Sequence, residues 1–198
     1  MIAFDTLPVG LFFGSFNPIH NGHLGLAHRI LAEKYCREIW FVVSPCNPFK
    51  DEASLLPEKV RYSIVQAAIA GLPAMKACDV EFDMPHPSYT ADTLRRLIER
   101  FPAERFSLIM GGDNLLGFPS WKDYAWIERN FPILVYPRPG SSLEIPPGMH
   151  VTIVDAPLFP LSATEIRERL ARGEDLSGEV PAAALPLIRN AYAGHSRD

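Results

Sequence analysis

The chain has 198 residues and a formal net charge of −4. This length suits one domain with a sizeable core, and we expect residues 1–198 to form a single domain. The net negative charge excludes a general nucleic-acid binder, which would need a strongly basic face. The three cysteines are widely spaced, which excludes a disulfide framework and indicates a reducing, cytoplasmic setting. No apolar run reaches the ~18 residues of a membrane span, so no membrane partner is expected.

Apolar runs alternate with helical patterns along the chain, beginning with a strand at residues 9–13, a helix at 22–35 and a strand at 38–44. Further helices are predicted at residues 57–70, 91–100, 164–172 and 181–193, and further strands at 75–82, 106–110, 133–136 and 151–154. Strands that alternate with helices form parallel sheets with crossover connections. We therefore predict an α/β fold with a Rossmann-like, doubly wound parallel sheet, helices on both faces and a helical C-terminal subregion.

The segment after the first strand combines glycines with two histidines. It runs Gly14-Ser15-Phe16-Asn17-Pro18-Ile19-His20-Asn21-Gly22-His23. A strand that leads through a glycine turn into a helix directs backbone N–H groups and the positive end of the helix dipole at one point. Gly14 and Gly22 would let a nucleotide approach the backbone, and His20 and His23 lie one turn apart, within reach of one phosphate. The segment predicts a phosphate site. A zinc-binding histidine pair is the alternative, but no cluster of further ligands follows, so we predict no metal site on the chain itself.

Two other segments have polar side chains where a helix start or a phosphate contact is expected. Ser162 and Glu165 have the spacing of a capping box, which predicts a helix that begins at about residue 164. Lys50 follows the second strand, at the sheet edge where the histidine segment begins. A role in phosphate binding and a solvated loop position are equally good interpretations of this lysine.

These residues resemble the motifs of a nucleotidyltransferase superfamily. Its first motif, Gly-x-Phe-x-Pro-x-His-x-Gly-His, is filled at every fixed position by residues 14–23, and its second, Ile-Ser-Ser-Thr-x-Ile-Arg, is matched by residues 161–167 except at Leu161 and Ala163. Where related enzymes often have Pro-Pro-His-Lys, residues 47–50 are Asn-Pro-Phe-Lys. The resemblance implies ATP as a substrate, with Mg²⁺. It assigns catalysis to His20, His23, Lys50 and Arg167, and ATP binding to Gly14, Ser15, Phe16, Gly22, Asp113, Ser162 and Thr164.

Three more segments, at residues 87–90, 110–121 and 138–140, resemble the nicotinate-nucleotide adenylyltransferases. That resemblance implies transfer of the adenylyl group of ATP to nicotinate mononucleotide, a step of NAD biosynthesis. In it Trp121 stacks on the pyridine ring, backbone amides near Thr90 and at residues 121–122 hold the nicotinate carboxylate, Asp113 binds a ribose hydroxyl, and Arg138 meets the mononucleotide phosphate. The residues expected to bind the mononucleotide are Asn17, Thr90, Trp121, Lys122 and Arg138.

Local structure offers other interpretations of some of these residues. Thr90 suits an N-cap before the helix at residues 91–100, and Asp113 suits a cap of a short helix after a glycine turn. For function, the alternatives are a related nucleotidyltransferase that takes nicotinamide mononucleotide or phosphopantetheine, and a non-catalytic nucleotide-binding regulator. The intact histidine pair argues against the regulator.

Overall fold

The computed structural model describes residues 7–45 and 55–195. Its sheet has six strands, all parallel, in the order β3-β2-β1-β4-β5-β6. The strands are β1 (Val9–Gly14), β2 (Glu38–Val43), β3 (Met75–Cys78), β4 (Phe106–Gly111), β5 (Ile133–Tyr136) and β6 (Thr152–Ile153). The strand order reverses between β1 and β4, which opens a crevice at their carboxyl ends.

The strands are apolar on both faces because each face is covered by helices. Along β2, Ile39 and Phe41 belong to one hydrophobic cluster, whereas Trp40 and Val42 belong to the other. The first cluster is covered by α1 (Asn21–Ala32), α2 (Glu58–Ala68), α5 (Ala163–Ala171) and α6 (Leu185–His195), and the second by α3 (Thr90–Arg100) and α4 (Tyr124–Asn130). The predicted Rossmann-like fold is confirmed, including helices on both faces and a helical C-terminal part.

Two predicted boundaries are wrong because a turn forms at each. The strand predicted over residues 75–82 ends at Cys78, since the Phe82 N–H donates to the Asp79 carbonyl and closes a turn. The helix predicted from residue 181 begins at Leu185, after a turn closed onto the Pro181 carbonyl. None of the described helices combines the length and apolarity that crossing a bilayer requires.

Two predicted caps are also wrong. Thr90 is the first residue of α3 and Tyr89 is its N-cap, without a side-chain cap hydrogen bond. Asp113 lies inside a short 3₁₀ helix, Gly112–Asn114, which follows Gly111. Neither side chain therefore caps the helix that the sequence suggested for it.

Candidate active site

The turn after β1 is buried and tightly bent. Phe16 has a φ of 44°, in the left-handed region that residues other than glycine rarely adopt, and such a residue costs ~1–3 kcal/mol. Its ring is 2% exposed and packs at 5.5 Å from the ring of Phe41 and 5.8 Å from that of Phe12. The buried ring thus fixes the direction in which the chain leaves the strand.

The glycines of the first motif make room for protein side chains. A Cβ on Gly14 would lie 2.9 Å from the Phe16 ring, and a Cβ on Gly22 would lie 3.0 Å from Nδ1 of His20 and 3.2 Å from the Phe159 Cβ. The sequence predicts that these glycines let a nucleotide approach the backbone closely. In the structure each is needed first because an aromatic ring packs directly against its backbone.

His20 and His23 lie face to face at the start of α1, with ring centroids 3.7 Å apart. The His20 backbone N–H donates to Nδ1 of His23 over 3.2 Å. Because Nδ1 accepts that hydrogen bond, a neutral His23 ring carries its proton on Nε2 and donates from there. The structure therefore fixes the tautomer that a donor to a phosphate would need.

His20 is only 4% exposed. Burial lowers its pKa to about 4, and the positive charge of Arg138 contributes in the same direction. At neutral pH the ring is therefore uncharged. A neutral imidazole still donates one hydrogen bond, but it is a poor candidate for a proton-accepting general base at that pKa.

A cavity of about 470 Å³ opens beside the two histidines. The polar residues of its lining include His20, His23, Ser162, Glu165 and Arg138. The remaining wall is largely apolar and includes Phe12, Leu26, Tyr136, Phe159 and Leu161. This size and this mixture of apolar walls with a few polar groups suit a small-molecule ligand.

The second motif meets the first across this cavity. The Ser162 Oγ accepts a hydrogen bond from the Glu165 N–H at 3.1 Å, so the predicted N-cap of α5 is confirmed. Arg167 donates to the Asn17 carbonyl over 2.9 Å and to Oγ1 of Thr164 over 3.3 Å. One guanidinium thereby connects the start of α5 with the turn after β1.

Asp113 and Arg138 form an ion pair of 2.9 Å at the ends of β4 and β5. Their side chains are 45% and 43% exposed, and both residues line the cavity. A Cβ on Gly111 would lie 2.3 Å from Oδ1 of Asp113, so the pair depends on a glycine at that strand end. Two residues predicted to contact different substrates thus contact each other.

Thr90, Trp121 and Lys122 form a second group. The Lys122 Nζ donates to Oδ2 of Asp92 over 2.7 Å and lies 5.0 Å from the centre of the Tyr89 ring, which brings the segment after β4 to the start of α3. None of the three belongs to the described lining of the 470 Å³ cavity. The predicted site residues therefore fall into two neighbourhoods, while Lys50 lies outside the described residues.

Trp121 follows the short 3₁₀ helix Phe118–Ser120 and is half-buried. Its ring meets the Phe118 ring edge-on, with centroids 5.4 Å apart, and its backbone N–H donates to the Phe118 carbonyl over 2.9 Å. The amide of Trp121 is therefore already used inside the protein. The amide of Lys122 makes no hydrogen bond to any residue in the described ranges.

Sequence reasoning missed Arg61, the largest fully buried side chain of the described residues. Its guanidinium donates to the carbonyls of Ser15, Ser44, Pro45 and Leu56 over 2.6, 2.8, 2.7 and 2.7 Å. A signal was present, because Arg61 lies in the buried stripe of α2 with Ile64, Val65 and Ala68. A charged residue in such a stripe needs buried partners.

Asn17 was predicted to bind the mononucleotide, yet its side chain is 4% exposed. Its Oδ1 accepts hydrogen bonds from the Tyr192 hydroxyl at 2.7 Å and from the Leu56 N–H at 3.2 Å. Burial raises the pKa of the Tyr192 hydroxyl, so the phenol keeps the proton that it donates. The side chain of Asn17 is thus engaged in holding the turn.

A second missed residue is Glu81, which is 2% exposed. Its carboxylate accepts hydrogen bonds from the hydroxyls of Thr93 and Ser88 at 2.7 and 2.9 Å, and burial raises its pKa. These contacts hold the segment that precedes α3. Across the described ranges no group of three or more His, Cys, Asp or Glu side chains is placed to hold a metal ion.

Comparisons with known proteins place this chain in a family. The cytidylyltransferase-like family model matches residues 11–169. A probable nicotinate-nucleotide adenylyltransferase of Bacteroides fragilis is 47% identical over 170 residues, which are 84% of this chain and 84% of that protein. One of Cytophaga hutchinsonii is 47% identical over 162 residues, 81% of this chain and 84% of the relative.

A solved structure agrees in fold. The nicotinic acid mononucleotide adenylyltransferase of Plasmodium falciparum, complexed with NaAD, superimposes with a TM-score of 0.76. The match covers 97% of this chain and 98% of that one, at 18% sequence identity. At that identity the likeness is evidence for the fold alone.

Proposed function

Since the chain belongs to the cytidylyltransferase-like family and, within it, to the nicotinate-nucleotide adenylyltransferases, we propose that it transfers the adenylyl group of ATP to nicotinate mononucleotide. The products are nicotinate adenine dinucleotide and pyrophosphate. One observation carries the proposal: both nucleotidyltransferase motifs meet at one cavity, where His20, His23 and Ser162 line the wall. That cavity lies at the crevice between β1 and β4, the ligand site of this fold class.

In this reaction a phosphate oxygen of the mononucleotide bonds to the α-phosphorus of ATP. The bond from that phosphorus to the oxygen bridging to the β-phosphate breaks, and its electron pair leaves with pyrophosphate. The attacking phosphate has a second pKa of ~6, so it is largely ionised at neutral pH and needs no general base. The pKa of His20, about 4, leaves its ring uncharged at neutral pH. The ring can therefore donate one hydrogen bond to a phosphate oxygen, but it adds no positive charge.

Catalysis then consists of positioning and charge stabilisation. His23, with its proton on Nε2, donates to an α-phosphate oxygen, and His20 assists from the same helix start. Arg167 and Lys50 stabilise the departing pyrophosphate, and the hydroxyls of Ser162 and Thr164 hold phosphate oxygens at the N-terminus of α5. Gly22 and Asp113 line the same cavity and complete the ATP contacts. Gly14, Ser15 and Phe16 lie outside its described lining, and their part in ATP binding is to form the turn that directs the chain to His20. The role of Lys50 rests on the resemblance of residues 47–50 to the family loop.

Enzymes of this family use ATP and generally a divalent metal. We propose Mg²⁺, which would enter with ATP. Two carboxylates, Asp113 and Glu165, line the cavity, but Asp113 is paired with Arg138 and the described residues offer no group of three or more ligating side chains. When bound, the ion neutralises charge on the triphosphate. The residues of the chain that share this task are Arg167 and Lys50.

The mononucleotide is proposed to bind at the second group of residues. The Trp121 ring stacks on the pyridine, and Arg138 meets the phosphate. The nicotinate carboxylate accepts from backbone N–H groups at Thr90 and Lys122. The backbone N–H of Trp121 is not expected to bind this carboxylate, because it already donates to the Phe118 carbonyl.

The decisive experiment compares two substrates with the wild-type protein. A carboxylate that faces converging N–H groups gains charge-assisted hydrogen bonds, whereas a carboxamide presents an NH₂ donor to other donors. We expect kcat/KM for nicotinate mononucleotide to exceed that for nicotinamide mononucleotide about 30- to 150-fold, from roughly 2–3 kcal/mol of mismatched pairing. A ratio near or below one would refute the acid specificity. Absence of pyrophosphate release with both substrates would refute the proposed reaction and leave a transferase for another acceptor, such as phosphopantetheine, or a binding regulator.

A further inference from the structure

Two side chains from distant helices hold the turn after β1. Arg61, on α2, donates to the Ser15 carbonyl over 2.6 Å. Tyr192, on α6, donates its hydroxyl proton to Oδ1 of Asn17 over 2.7 Å. The residue between these two attachments is Phe16, the one with the left-handed φ of 44°. The strained residue is therefore bracketed by two hydrogen bonds, one buried and one partly buried.

Arg61 also ties this turn to its neighbours. The same Nη1 that binds the Ser15 carbonyl binds the carbonyl of Ser44, at the end of β2, over 2.8 Å. Its Nε binds the Leu56 carbonyl over 2.7 Å, while the N–H of Leu56 donates to Asn17. The contacts form one connected network, so a shift of the guanidinium would move both sides of the turn.

We propose that Arg61 and Tyr192 are positioning residues for adenylyl transfer: they fix the turn at residues 15–17, and through it the direction from which His20 and His23 meet ATP. The link to the histidines is short. Only Pro18 and Ile19 separate Asn17 from His20, and the His20 N–H sets the His23 tautomer. The proposal rests on the proposed function only in naming ATP as the ligand and adenylyl transfer as the reaction.

A purely structural role predicts something different. If Arg61 and Tyr192 only stabilised the fold, their replacement would lower the unfolding temperature and leave the folded enzyme fully active. If they position the turn, displacement by about 1 Å of the groups that act on the phosphate lowers kcat by as much as ~10²-fold. If the two residues position the turn, their replacement should change the affinity for the mononucleotide little, because that substrate is proposed to bind at Thr90, Trp121 and Lys122.

The test uses Arg61→Lys and Tyr192→Phe in the full chain. An ammonium on a flexible stem cannot reproduce four donations to diverging carbonyls, so we expect Arg61→Lys to lower kcat ~10- to 100-fold. Tyr192→Phe removes one hydroxyl and keeps the ring, and we expect kcat to fall ~3- to 10-fold. In both variants the KM for nicotinate mononucleotide should stay within about twofold of wild type, while the Kd for α,β-methylene-ATP rises.

A spectroscopic measurement reads the turn directly. Ring ¹⁵N shifts of His23 in the wild-type protein should report one tautomer, with the proton on Nε2, and both variants should show a mixture of tautomers. Arg37→Lys is the matched control, since Arg37 pairs with Glu38 and Glu104 near the amino ends of β2 and β4. The turn after β1 lies at the other end of the strands. It should lower the unfolding temperature and leave kcat and the His23 signal unchanged.

The outcomes separate the alternatives. Lower kcat with a mixed His23 tautomer supports the proposal, and normal kcat per folded molecule in both variants overturns it. If Arg61→Lys does not fold, Tyr192→Phe decides by the same criteria. If the wild-type protein fails to use nicotinate mononucleotide, the proposed function fails, but the Kd for α,β-methylene-ATP and the tautomer still decide the positioning role.

Discussion

The two neighbourhoods of the site, which we call the ATP side and the mononucleotide side after the substrates proposed for them, are built differently. On the ATP side the turn after β1 is buried, its carbonyls are bound by Arg61 and Arg167, and the His20 ring is 4% exposed. On the mononucleotide side Lys122 is held by an ion pair with Asp92, whose two side chains are 45% and 36% exposed. Exposed ion pairs contribute only ~0–1 kcal/mol. The proposed reaction centre is thus held by buried contacts, whereas the proposed recognition surface is held by weaker, exposed ones.

This difference matters for how each side acts on the reaction. Groups that stabilise charge in a transition state must be fixed before the substrate arrives, because reorganisation would cost part of their effect. Groups that stack on a ring act on bound substrate and transition state alike. Substitutions on the ATP side should therefore change kcat, and substitutions on the mononucleotide side should change KM.

The largest effect is expected at the histidines. His20→Ala or His23→Ala should lower kcat by ~10²-fold or more, the scale for loss of a preorganised donor. The measurement is steady-state pyrophosphate release by folded protein at saturating substrates. His28→Ala is the control, since His28 is exposed on the same helix and its loss should leave kcat unchanged. A folded double variant of His20 and His23 with near-normal turnover would contradict the mechanism.

The burial of His20 predicts a pH dependence of stability. Its pKa is about 4 in the folded protein, against 6.5 for an exposed histidine. Between these values the unfolded chain binds the proton and the folded protein does not, so the free energy of unfolding falls as the pH drops from 6.5 to 4. The loss reaches roughly 3 kcal/mol below pH 4.

Urea unfolding of wild type and His20→Asn at several pH values measures this term. Subtracting the two curves removes the contributions of the other titratable groups. The wild-type protein should lose stability relative to the variant as the pH falls through that window. Parallel curves would show that His20 is solvated and that the ATP side is less preorganised than described.

Replacement of Arg167 tests whether the residue that connects the two motifs also stabilises the departing pyrophosphate. Arg167→Lys keeps the charge but loses the planar fork that reaches Asn17 and Thr164. We expect kcat/KM for ATP to fall ~10-fold or somewhat more, as for the loss of one charged hydrogen bond. Unchanged ATP affinity and turnover in Arg167→Ala would reduce the residue to a structural bridge.

The smallest effect is expected on the recognition side. Trp121→Ala should raise the KM for nicotinate and nicotinamide mononucleotides by similar factors of about 10, because stacking depends little on the ring substituent. The KM for ATP should not change. Trp126→Ala is the matched control, since Trp126 packs on Phe131 and Arg95 and has no proposed substrate contact. A fall in kcat without a change in KM would contradict the division between the two sides.

Local patterns could be predicted from the sequence because their causes are local. The helix start at Ser162 and the histidine pair depend on residues three apart, and both are as expected. The rest depends on distant partners. Asn17 and Tyr192 are 175 residues apart, and nothing near residue 17 indicates that its side chain binds a tyrosine. The N-cap was misplaced by one residue at Thr90, because a threonine at a helix start suits either position.

Charged residues show the same division. The pairing of Lys122 with Asp92 depends on how α3 meets the segment after β4, which the sequence does not specify. Arg61 could have been identified as unusual from its place in an apolar stripe. Its partners could not, since they are backbone carbonyls from separate loops.

The bond between Tyr192 and Asn17 also has a consequence for synthesis on the ribosome. The first motif leaves the ribosome well before α6, since Asn17 and Tyr192 are 175 residues apart. Contacts of such long sequence separation form late in folding. A nascent chain therefore carries a complete histidine motif long before its turn is fixed, and high ATP affinity should arise only when α6 docks. Nucleotide binding would then report that α6 has docked.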